Sequence, residues 1–154
     1  MFVAPEIVHA SPYGYPADIW SAGAVLFILL TGYAPFDVDS ESRRLRQIAF
    51  DPVPFELLQQ AGVSAVGQAF MRRVLHKDPQ RRLSAAEALA HPWLTDRAAQ
   101  RTSSQIELSV QPRLRQWKAR RNLQRAVHTL RAVSRLERLA RSARERARRE
   151  SIEE

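Results

Sequence analysis

Apolar residues are distributed along this chain in contrasting ways. Between residues 18 and 36, DIWSAGAVLFILLTGYAPF, they run almost unbroken: Ile19 to Leu30 is apolar apart from Ser21 and Gly23. Gly32 follows Thr31, where a helix takes a left-handed C-terminal residue. The run predicts one buried helix, with Asp18 as its N-cap. Being apolar on all sides, it should lie at the centre of a helical domain, and Gly23 should let a neighbour's backbone approach closely. A membrane span needs roughly 20 apolar residues. This run is shorter and closes on Gly32, so no span is expected.

Around it the pattern is broken into short pieces. Residues 1–17 carry Pro5, Pro12, Gly14 and Pro16, so only EIVHA has room for a helical turn. Asp39 or Ser40 can cap a helix over residues 40–50 whose Leu45 and Ile48 or Ala49 share a face. Asp51-Pro-Val-Pro54 ends it, and a brief turn or helix over residues 55–61 closes on Gly62. Ser64 opens a helix to about Leu75 with Val66, Phe70 and Val74 as its buried stripe. Ser84-Ala-Ala-Glu87 is a capping box for a last short helix ending at His91-Pro92, with Trp93 and Leu94 on the core.

The third pattern begins after a polar linker, residues 95–112. From Arg113 to about Arg149 there is no Pro or Gly, and Arg, Ala and Leu favour a long helix. Trp117, Leu123, Val127, Leu130, Val133 and Leu136 recur at intervals of three, four and six, with Arg115, Lys118, Arg120, Arg121, Arg125 and Arg131 around them. Beyond Leu139 and Ala140, Arg and Glu are mixed and a solvated end is expected.

Charge sharpens this division. Residues 1–94 hold 8 of the 24 Lys and Arg and 9 of the 16 Asp and Glu, a net of −1. Residues 95–154 hold 16 and 7, a net of +9, so the chain's +8 belongs to its tail. Cysteine is absent, which excludes disulfides, thiolate metal sites and a cysteine nucleophile. His9, His76, His91 and His128 show no metal-ligand spacing. The first residues lack the basic-then-apolar order of a secretory signal, and an intracellular, cytoplasmic location is expected.

Five signals in register carry a family resemblance: Ala4-Pro5-Glu6; Asp18-Ile-Trp20-Ser-Ala-Gly23; Gly32-Tyr-Ala-Pro35-Phe36; Lys77-Asp78-Pro79-Gln-Arg-Arg82-Leu83; His91-Pro92-Trp93-Leu94. Over residues 1–94 the chain resembles the C-terminal lobe of a serine/threonine protein kinase, in wording closest to the calcium/calmodulin-dependent branch. The resemblance implies a mainly α fold, a helical lobe followed by a long basic helix. It implies that Glu6 pairs with Arg82, and that Asp18 begins the central helix and holds the backbone of the catalytic loop. It also implies that Phe2 and Val3 adjoin the substrate and that the helix over residues 40–50 docks substrates or regulators. Since Met1 falls inside the kinase motif that ends in Ala-Pro-Glu, the chain reads as a fragment.

Phosphoryl transfer needs a glycine-rich loop and a lysine on the phosphates, magnesium ligands, and an aspartate beside the attacking hydroxyl. G-x-G-x-x-G, V-A-I-K, H-R-D and D-F-G are all absent from this sequence. No catalytic, cofactor or metal residue is therefore named; ATP and Mg are expected for the full-length parent, with protein substrates. The tail matches the basic amphipathic pattern of a calmodulin target, with Trp117, Leu123, Val127 and Leu130 as anchors. Packing on the lobe and binding to an anionic surface stay open beside it, although one aromatic residue and no recognition motif argue against DNA or RNA. Arg101, Arg131 and Arg148 each precede a serine by three residues (Ser104, Ser134, Ser151), a context such kinases favour. Two functions remain in view: a kinase C-terminal fragment with an autoinhibitory or calmodulin-binding tail, and a non-catalytic interaction module that binds partners through its basic helix.

Overall fold

A computed structural model describes residues 2–96, 112–124 and 126–127. The chain forms two units, Met1–Trp117 and Lys118–Glu154. In the first, the helices are α1 (Pro5–Val8), α2 (Tyr15–Thr31), α3 (Glu41–Phe50), α4 (Glu56–Gln60), α5 (Ala65–Val74), a 3-10 turn at Pro79–Arg81, α6 (Ala85–Leu89) and α7 (Pro92–Thr95). Among the described residues there is no strand. Residues 112–117 continue the first unit as helix; in the second, 118–124 and 126–127 are helical.

The apolar run becomes α2, and the core assembles on it. Trp20, Ala24, Phe27 and Leu30 are buried with Ile48 of α3, Leu58 of α4, Phe70, Met71 and Val74 of α5, and the following Leu75 and Leu83. Gly32 closes α2 with φ +77°, and its N–H donates to the Ile28 carbonyl. The helix starts four residues earlier than expected. Gly14 is the N-cap, and Pro16 at the second helical position supplies a pre-set φ where no N–H is needed. Asp18 is thus not the cap but an exposed acidic residue of the first turn, favourable at the positive end of the helix. Nor is α2 enclosed on every side, since Asp18, Ala22 and Val25 form an exposed row one helical turn apart, Val25 at 44 %.

The shorter helices are fixed by local chemistry. Ser40, Ser64 and Ser84 cap α3, α5 and α6, each accepting from the N–H three residues on, and Glu87 returns a 2.8 Å bond to the Ser84 N–H. His91 caps α7 by accepting from the Trp93 N–H, so the chain turns into a further helix at Pro92 instead of ending there. The buried face of α5 is Gly67, Phe70, Met71 and Val74, whereas Val66 is exposed. That face rotates because the Trp93 indole lies against Gly67: a Cβ there would sit 2.8 Å from its Nε1. Leu94 and Leu45 remain half-exposed. Lys77 donates to the carbonyls of Gln47 (3.0 Å) and Ile48 (2.7 Å), closing the C-end of α3, and its ammonium lies 5.1 Å from the Phe36 ring.

At Gly23 the close neighbours are the side chains of Val74 and Leu75, not a neighbouring backbone. A methyl there would overlap Val74 and stand 3.0 Å from Leu75 Cδ2. Gly23→Ala is expected to destabilise the protein by about 1–3 kcal/mol through overpacking, read as a lowered urea midpoint with an unchanged m value.

Candidate functional site

A buried polar constellation centres on Arg82. Helix α1 presents Glu6 because Pro5 at its first position starts the turn directly after Ala4. Arg82 follows the 3-10 turn that Asp78 caps by accepting from the Gln80 N–H at 2.9 Å. Both side chains are buried, and they meet as a fork: Nη1 donates to Glu6 Oε1 at 2.7 Å and Nη2 to Oε2 at 2.9 Å. The remaining donors reach the carbonyls of Pro16 (2.6 Å), His76 (3.0 Å) and Lys77 (3.4 Å). The guanidinium carbon also lies 5.2 Å from the Trp20 ring. Every N–H of the cation has an acceptor, which makes a buried charge tolerable.

Electrostatics agree with this geometry. Burial pushes the Glu6 carboxyl up, but the hydrogen bonds from Arg82, a backbone hydrogen bond and the Arg82 charge outweigh it and leave its pKa below the ordinary 4.5. Burial pulls the Lys77 ammonium below its ordinary value, partly opposed by the charge of Asp51.

The other motif residues occupy structural positions. Ala4 and Pro5 are buried, Trp20 packs under Arg82, and Gly23 lies against α5. Val3 is half-buried against the core, and the Phe2 carbonyl accepts from the Ser21 hydroxyl at 2.8 Å. Asp18 lines a groove of about 490 Å³ with Tyr15, Pro16, Ile19, Gln80 and Arg82. Reasoning from the sequence missed Pro16, His76 and Lys77 as partners of Arg82; they act through backbone carbonyls, which residue identity does not reveal. Among the described residues no cluster of His, Cys, Asp or Glu has the arrangement of a metal site, and no helix is long and apolar enough to cross a membrane.

Of the tail residues, Trp117 is half-buried, Leu123 is 66 % exposed and Val127 is half-buried. Leu130, most of the linker and the three Arg-flanked serines lie outside the described residues. Thr95 and residue 112, the linker's two ends, are both helical.

A buried Glu–Arg fork closing a helical lobe, with an Ala-Pro-Glu turn before it, defines a class. The family model "Protein kinase domain" matches residues 1–94, and the chain belongs to that family. Calcium-dependent protein kinase 12 of Oryza sativa subsp. japonica is 38 % identical over 122 residues, covering 79 % of this chain and 22 % of the relative. CDPK-related kinase 5 of Arabidopsis thaliana is 44 % identical over 100 residues, covering 62 % and 16 %. Among solved structures, the twitchin kinase region from C. elegans is similar with a TM-score of 0.55 at 36 % identity, covering 61 % of this chain and 17 % of that one. The chain thus spans about a fifth of the length of these curated relatives.

The depressed pKa of Glu6 fixes a pH dependence. Its stabilisation is complete above the ordinary value of 4.5 and is lost as pH falls through the lower folded value. Glu6→Gln is expected to destabilise the protein clearly at pH 6, and by progressively less as pH falls through the lowered folded value. Urea melts of both proteins at pH 6 and at lower pH test this, and an equal difference throughout would contradict it.

Proposed function

We propose that this chain is the C-terminal lobe portion of a serine/threonine protein kinase whose whole protein transfers phosphate from ATP, with Mg, to protein substrates inside the cell. The observation that carries this is the family match over residues 1–94, supported by the Glu6–Arg82 fork on which the lobe closes. In the whole protein the machinery for nucleotide, metal and phosphoacceptor would come from the sequence this chain does not carry. The exposed row Asp18, Ala22 and Val25 suits that arrangement, because it leaves one side of α2 open to another part of the domain. In this reading Asp18 holds the catalytic loop, Phe2 and Val3 adjoin the substrate, and α3 is a docking helix.

The basic tail is, in the same proposal, an autoinhibitory and calmodulin-binding segment anchored by Trp117, Leu123, Val127 and Leu130. Two observations support it. The 122-residue match to a calcium-dependent protein kinase is longer than residues 1–94 and so reaches into the tail. Residues 112–124 are helical, as a helix-in-groove ligand requires. A second reading, a non-catalytic module that binds partners through this helix, is favoured by the absence of every phosphoryl-transfer motif from the sequence.

The chain alone is expected to transfer no phosphate from radiolabelled ATP. Joined to the coding sequence upstream, it is expected to become active on serine and threonine peptides; an upstream stop codon, or an inactive joined protein, would favour the interaction module. In calorimetry, a peptide of residues 113–140 is expected to bind calcium-loaded calmodulin at micromolar concentration or below. Trp117→Ala together with Leu130→Ala should weaken it by about a hundredfold or more. No binding of the unaltered peptide at micromolar concentration would remove the calmodulin reading.

A further inference from the structure

Arg113 opens the basic helix, and its guanidinium meets the lobe at a particular place. Nη1 donates to the carbonyl of Leu30 and Nη2 to the carbonyl of Ala61, the latter at 2.9 Å. Leu30 lies in the last turn of α2 and Ala61 is the C-cap of α4. Each helix end is followed by a glycine in the left-handed region, Gly32 at φ +77° and Gly62 at φ +75°. Such turns leave terminal carbonyls without intrahelical partners, and here two of them converge on one cation. Two negative helix ends favour positive charge at the same point. The approach is close: a Cβ on Gly32 would stand 3.2 Å from Arg113 Cβ and 3.4 Å from its carbonyl oxygen. Thr31, Tyr33, Leu57 and Gln60 surround the contact, and one turn further along the helix the Trp117 indole nitrogen is out of solvent.

We propose that the C-ends of α2 and α4 form a guanidinium-binding site on the lobe, that Arg113 is its ligand, and that the contact is a latch holding the start of the basic tail. The fork shape matters, because carbonyls on two different helices are reached from nitrogens held apart in one plane; an ammonium, with all its donors on one nitrogen, bridges only carbonyls as near to each other as the adjacent pair that Lys77 meets on α3. A partner that encloses the tail, Trp117 included, has to open the latch first. Its apparent affinity for the chain is therefore lower than for the free segment by the fraction of tail already released. This last consequence rests on the calmodulin reading, whereas the latch itself does not.

Hydrogen exchange of the full chain tests the latch without any partner. In Arg113→Gln the amides of residues 114–124 are expected to exchange about tenfold faster or more, since two hydrogen bonds to a charged group are lost, while α2 and α5 keep their rates. Arg113→Lys should lie between the two. Unchanged tail exchange would overturn the proposal. So would acceleration throughout α2 and α5, which would make Arg113 an ordinary part of the lobe's stability. A lysine variant indistinguishable from the unaltered chain would overturn the assignment to a guanidinium. For the partner, Arg113→Gln in the full chain is expected to tighten calcium-loaded calmodulin binding by about threefold or more, whereas in the 113–140 peptide it should leave binding unchanged or weaker. Equal weakening in both would overturn the competition. A peptide that does not bind removes the calmodulin reading, and the exchange rates still decide the latch.

Discussion

A single buried cation governs how this lobe is joined. Arg82 is held by the Glu6 carboxylate, by the carbonyls of Pro16, His76 and Lys77, and by the face of Trp20. Those groups belong to α1, the N-terminal part of α2 and the turn after α5. Desolvating a guanidinium is expensive, and the structure offsets it by giving every N–H an acceptor. Loss of one acceptor leaves the others around an uncompensated charge, so the constellation behaves as a unit.

The apolar core is organised differently. Helix α2 supplies Trp20, Phe27 and Leu30 to neighbours that are each short, and α4, α6 and α7 are too brief to be stable as isolated helices. The starts of α5, α6 and α7 are specified side chain by side chain: Ser64 with the Gly67 N–H, Ser84 with Glu87, His91 with the Trp93 N–H. Close fits replace helix length as the source of order. Gly23 beneath Val74 and Leu75, and Gly67 beneath Trp93, are the two points where a methyl group has no room.

Much of this was legible in the residue pattern. The central helix, its Gly32 end, the serine caps and the capping box follow from local chemistry, and local chemistry is carried by neighbours in sequence. The Glu6–Arg82 pair was legible only through resemblance, because 76 positions separate the partners and no spacing rule reaches that far. What the pattern misplaced was decided by tertiary contact or by a competing local signal. Asp18 lost the N-cap to Gly14 because Pro16 already starts the helix. The stripe of α5 turned from Val66 toward Gly67 because Trp93 needs the space above a residue without a side chain. The exposed row on α2 could not be read from an unbroken apolar run, which has no polar face to mark it. Arg113 stood unremarked in a sequence full of arginines, its distinction being two backbone carbonyls.

The 76-residue separation between Glu6 and Arg82 also bears on how the lobe forms. Capped turns and neighbouring helices close short loops at small entropic cost, whereas this fork closes nearly the whole lobe. Its loss is therefore expected to speed opening of the lobe more than it slows closure. The fork then works as a clasp in time as well as in space, governing how long the lobe stays closed once it has closed.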